Sequence, residues 1–66
     1  MSTALAPVEQ LLYTPEEAAT VLRLGRSTVY ELMAAGELRF VKRGRSRRIK
    51  RSALEAFVDN LEPQPV

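Results

Sequence analysis

TPEEAATVLRLGRSTVYELMAAG, residues 14–36, decides how this chain folds. Thr14 is a good helix N-cap. Pro15 suits the first helical position, where its missing N–H removes no helix hydrogen bond, and Glu17 completes a capping box three residues after Thr14. Glu16 and Glu17 also lie at the positive end of the helix dipole. Ala18, Ala19 and Leu22 give this helix a small apolar face, which lets a neighbouring helix approach closely. A helix of roughly two turns cannot persist alone, because too few hydrogen bonds follow its unfavourable nucleation. The partner comes at once. Arg23-Leu24-Gly25 interrupts the pattern, with Gly25 able to take a turn conformation or to act as a modest N-cap. Residues 26–35 then read as a second helix, closed by Gly36 at the C′ position. Val29, Leu32 and Met33 fall on one side of it. Ser27, Glu31 and Ala34 fall opposite, Thr28 and Tyr30 lie on the flanks, and Arg26 heads the helix. Two short helices joined by a three-residue turn, the second with a small polar face, make the helix-turn-helix pattern. An ordinary helical hairpin fits these residues equally well.

The segment after the second helix separates these two readings. RFVKRGRSRRIKR, residues 39–51, carries eight basic residues among thirteen and no acid. The net charge of +2 conceals this segregation: the window sums to +8 and the remainder to −6. Like charge at this density repels itself unless a polyanion or solvent lies opposite. Residues 39–42 and 47–50 read as two strands flanking Arg43-Gly44-Arg45-Ser46, a four-residue connection in which Gly44 can supply a positive φ. Phe40 and Val41 are neighbours and point to opposite faces of a strand, so the pattern leaves the core-facing side open. A third helix is expected from near Ser52, with Glu55 completing a second capping box and Leu54, Phe57, Val58 and Leu61 forming an apolar stripe. The expected fold is mainly α with a small β-hairpin, in the order α-α-β-β-α. Its parts are a loose lead-in over 1–10, one folded domain over 11–61 and a short tail over 62–66.

Composition narrows the function classes. At 66 residues the chain has room for one small domain, and with neither Cys nor His a structural zinc site has no ordinary ligands. No apolar run approaches the ~20 residues that span a bilayer, and the N-terminus lacks the basic and apolar regions of a signal peptide. A cytoplasmic protein with no membrane partner is expected. Catalysis is not: Asp59 is the only Asp, and no Ser or Tyr has an evident base beside it. Tyr30 as a recombinase nucleophile would need an arginine-rich catalytic domain, and GRSRR lacks the glycines and lysine of a phosphate loop. No metal, cofactor or small-molecule ligand is expected.

The landmarks Tyr13-Thr14-Pro15-Glu16-Glu17-Ala18-Ala19, Arg26-Ser27-Thr28-Val29-Tyr30, Gly36-Glu37-Leu38, Gly44-Arg45, Arg48-Ile49 and the Ser-x-Leu-Glu of the third helix resemble the short winged-helix domain of excisionases and their MerR-type relatives. The resemblance covers residues 11 to about 61. Three features depart from it. Arg23 stands where the family often has Gly, Gly25 stands where it often has Ser, and Arg43 and Arg47 occupy wing positions usually apolar or aromatic.

The resemblance implies double-stranded DNA as the partner. Arg26, Ser27, Thr28 and Tyr30 of the second helix would meet the major groove, where hydroxyls and guanidinium groups reach base edges or phosphates. Lys42, Arg43, Gly44, Arg45, Arg47 and Arg48 of the wing would follow the backbone toward the minor groove, whose negative potential favours arginine. The leading expectation is an excisionase, or recombination directionality factor. It would bind and bend attachment-site DNA, help a phage- or plasmid-type integrase excise a mobile element, and could associate cooperatively with further copies on DNA. A small MerR-like transcriptional regulator on the same fold is the alternative. The excisionase is preferred because the chain ends almost at the fold, without an effector domain or long dimerising helix. A third reading is a protein-interaction module whose basic hairpin meets an acidic partner.

Overall fold

A computed structural model describes residues 10–65. Its elements run β1 (Leu12–Tyr13), α1 (Pro15–Leu22), α2 (Arg26–Ala34), β2 (Val41–Arg43), β3 (Ser46–Lys50) and α3 (Arg51–Asp59). The expected winged helix-turn-helix architecture is present, with one strand more than the sequence suggested.

Helix α1 begins as its residues dictate. The Thr14 Oγ1 accepts from the Glu17 N–H at 3.0 Å, and a Glu17 carboxylate oxygen accepts from the Thr14 N–H at 2.9 Å, closing the capping box. The helix ends at Arg23, whose backbone is left-handed (φ 61, ψ 38). The Leu24 N–H donates to Ala19 O and the Arg23 N–H to Thr20 O, the paired bonds of a Schellman motif. Helix α2 ends the same way: the Glu37 N–H donates to Leu32 O and the Gly36 N–H to Met33 O. There the left-handed residue is Gly36, at φ 78. The chain thus makes one turn twice, once with the residue suited to it and once with an arginine. Gly25 caps the start of α2 with extended backbone and no side-chain bond.

The expected two-stranded hairpin belongs to a three-stranded antiparallel sheet in the order β1-β3-β2. Leu12 pairs with Lys50 and Tyr13 with Ile49, and the Arg51 N–H extends the ladder to Leu11 O at 2.9 Å. The connection between β2 and β3 is shorter than the four residues expected. Arg43 pairs with Ser46, leaving Gly44-Arg45 as a two-residue turn. Gly44 takes the expected positive φ, 63°, and Arg45 does not, the pattern of a type II′ turn matched to strand twist. Arg39 and Phe40, read as strand residues, lie before β2 rather than in it.

Two further expectations are corrected. Ser52 does not cap α3. Strand β3 runs directly into the helix, Lys50 is the N-cap without a side-chain bond, and Ser52 falls inside the first turn. Glu55 instead accepts from the Arg51 Nε at 3.3 Å, one turn away. Of the predicted apolar stripe, Leu54 is buried and Phe57 half-buried, whereas Val58 and Leu61 are exposed and α3 stops at Asp59. The helix is too short to carry its last apolar residue onto the core.

The core lies where α1, α2, β3 and α3 meet: Ala18, Ala19, Val29, Met33, Leu38, Ile49 and Leu54. Tyr13, Leu22, Tyr30, Leu32, Phe40, Ala53 and Phe57 pack around it. Ala18 and Ala19 bring α1 close to α2, as small residues should. Among the described residues no polar or charged side chain is buried. Of the expected lead-in, residues 1–9 lie outside the described residues. Gln10 is tied down, its Nε2 donating to Leu12 O and to the Glu17 carboxylate. The tail from Glu62 to Pro65 has no regular structure, and Val66 lies outside the described residues.

Candidate nucleic-acid interface

Strand alternation and register sort the wing into two faces. Ile49 is fully buried, so its face looks toward the helices and carries Tyr13, Arg47 and Lys42 with it. The opposite face carries Leu12, Val41, Arg43, Ser46, Arg48 and Lys50. This settles the orientation that the adjacent Phe40 and Val41 left open: Val41 faces outward, and Phe40 packs against the core from outside the ladder. Arg45 stands at the exposed turn. Arg48 is half-buried between the exposed apolar Leu12 and Val41, and its guanidinium donates to Arg47 O at 2.9 Å.

The two unusual arginines part company. Arg43 is exposed on the outer face. Arg47 faces the helices, and its guanidinium carbon lies 5.3 Å from the Tyr30 ring centroid and 5.9 Å from that of Phe40. A flat, weakly hydrated cation is suited to such π faces.

On α2, Arg26, Ser27, Thr28, Glu31 and Ala34 are exposed, while Val29 and Met33 are buried. The apolar side predicted from the helical wheel is therefore the side that packs. Tyr30 is half-buried, and its hydroxyl donates to the Glu16 carboxylate of α1 at 2.7 Å. That bond, followed by the Glu16 backbone and the nearby Arg26 and Arg47 charges, holds the Glu16 carboxyl below its ordinary value. The same bond is the main reason the Tyr30 hydroxyl is pushed above its own. Both shifts favour one pairing, a neutral phenol donating to a charged carboxylate.

Sequence reading missed Glu16, taken only as a helix-dipole acid, and Phe40, left unassigned. No local pattern links Glu16 to Tyr30 fourteen residues away. The one available signal was Arg47 itself, a charge where an apolar or aromatic residue is usual. Among the described residues no group of His, Cys, Asp or Glu could hold a metal ion, and no helix is long and apolar enough to cross a membrane.

A family model described as a helix-turn-helix domain matches residues 12–61, which takes in all six elements. The chain belongs to the helix-turn-helix domain family. This helix-turn-helix chain is also 46% identical over 55 residues to a protein of Saccharopolyspora erythraea named "Probable excisionase". That similarity covers 83% of the chain but 56% of the relative, so the chain spans little more than half of that protein. No solved structure matches it significantly. In the helix-turn-helix frame, α1 is the first helix, α2 the second and β2–β3 the wing.

Proposed function

We propose that this protein binds double-stranded DNA through α2 and the wing, and that it acts as an excisionase. The observation that carries the reading is the juxtaposition of an exposed, hydroxyl-bearing face of α2 with a hairpin holding most of the chain's basic residues. The similarity to a protein named as a probable excisionase supports the second part. Arg26, Ser27 and Thr28 meet the major groove. The first N–H groups of α2, which no side chain caps, are available to a backbone phosphate. In the wing, Gly44 forms the tip and Lys42, Arg43, Arg45 and Arg48 follow the backbone into the adjacent minor groove. Tyr30 and Arg47, also expected at this surface, are engaged with each other.

The role is architectural. Several copies binding side by side would bend an attachment region, with the deformation offset by added protein contacts, and so present it to an integrase. The direct experiment scores excision by the cognate integrase with and without this protein. Excision that depends on it supports the proposal. Binding to DNA without any effect on excision, but with altered transcription from a nearby promoter, moves the assignment to a small regulator.

A further inference from the structure

Glu16, Tyr30 and Arg47 come from α1, α2 and β3, yet they form one continuous set of contacts. Arg47 stands directly across the ladder from Lys42, an arrangement in which like charges repel. It is held there by the Tyr30 and Phe40 rings, at 5.3 and 5.9 Å, and Tyr30 is fixed in turn by its 2.7 Å bond to Glu16. The rest of the wing has little to hold it. Ile49 is the only buried residue of β2 and β3, and it lies at the end of β3 remote from the turn. Arg47 reaches the body of the protein two residues nearer the tip. A hairpin anchored only at its base would lose orientational freedom on binding, and a contact made beforehand lowers that cost.

We infer that Glu16, Tyr30 and Arg47 form a latch that fixes the angle between the wing and α2, with Glu16 and Arg47 acting as positioning residues. The latch rests on the DNA-binding reading above, because its purpose is to let both elements reach one duplex together. It makes a prediction opposite in sign to simple electrostatics. Glu16 is an acid beside a surface that meets a polyanion, so its removal should tighten binding if charge alone mattered. If the latch matters, its removal loosens binding.

The test uses the full chain, a labelled mixed-sequence duplex and a salt series. Glu16→Ala and Tyr30→Phe should each weaken binding about three- to tenfold, the range expected for losing one solvent-exposed hydrogen bond. The double variant should be no weaker than the worse single one, since both changes break the same bond. Arg47→Met should weaken binding without changing the salt slope. In the free protein, the side-chain methylene protons of Arg47 should be shifted upfield by the rings in NMR spectra, and less so in Glu16→Ala. Equal or tighter binding by Glu16→Ala overturns the latch, as does a salt slope shallower by about 0.9 in Arg47→Met, the mark of a lost phosphate contact. Absence of the upfield shift overturns it too. If the parent protein binds no duplex, the DNA-binding reading fails and takes the latch with it; the other adverse results remove the latch alone.

Discussion

Tyr13 sits opposite Ile49 in an antiparallel pair that ties the residues before the first helix to the strand that carries the wing. Strand β3 is therefore central, bonded to β1 on one side and β2 on the other, and Ile49 is its fully buried member. The wing depends on the core through this residue. Ile49→Ala should destabilise the domain by about 2–5 kcal/mol, the range for truncating a buried isoleucine. In a domain this small, that is most of the available stability. Urea denaturation should show the midpoint lowered or the transition lost.

Arg23 offers a change in the other direction. It occupies a left-handed backbone position, φ 61, that α2 fills with Gly36 in the equivalent turn. A side chain there costs roughly 1–2 kcal/mol, part of which glycine returns through the greater freedom of its unfolded chain. Arg23→Gly should stabilise the protein by about 0.5–1 kcal/mol, raising Tm by ~2–8 °C at this size. Calorimetry on the two proteins checks it.

The capping box at Thr14 is a separate contribution. Thr14→Ala removes the acceptor for the Glu17 N–H and should cost about 1 kcal/mol. Glu17→Gln keeps an acceptor for the Thr14 N–H and should cost less. Thermal melts of the two variants rank them.

The Glu16–Tyr30 bond predicts a definite pH profile. The carboxyl is lowered in the folded protein, so its contribution to stability is complete above about pH 4.5 and is lost as pH falls through the lowered value. The phenol is raised, so its contribution is complete below about pH 10 and is lost as pH rises through the raised value. The stability advantage of the parent over Tyr30→Phe should therefore be flat between these limits and shrink on both sides. Denaturant midpoints measured across that range give the profile.

Contacts on the proposed DNA surface should separate by type. Arg26→Ala, Ser27→Ala and Thr28→Ala should alter sequence preference, each lost base contact being worth about 1–3 kcal/mol. Lys42→Ala should weaken all sequences alike and reduce the salt slope by about one. Competition binding against a randomised duplex pool distinguishes the two outcomes.

Much of this architecture was legible because several local signals agreed. Thr14, Pro15 and Glu17 marked one helix start, Gly36 closed the second helix, and Gly44 announced the hairpin. Failures occurred where tertiary contacts overrode a local motif. Ser52 and Glu55 have the spacing of a capping box, but β3 passes straight into α3 and hands the cap to Lys50. Leu12 and Tyr13 form too short a strand to show periodicity and are strand only because β3 lies alongside. The candidate site was legible in its charges and less so in its geometry. Only the register places Arg47 toward the helices and Arg43 away from them.

The central claim, that α2 and the wing form one DNA-binding surface, is tested most directly by the affinity for duplex DNA over a salt series. With about five to seven phosphate contacts, log affinity should fall with log salt at a slope near −5. Arg45→Ala and Arg48→Ala should each bind more weakly than the parent. No duplex binding at low salt would contradict the claim, and so would wing variants that bind as tightly as the parent.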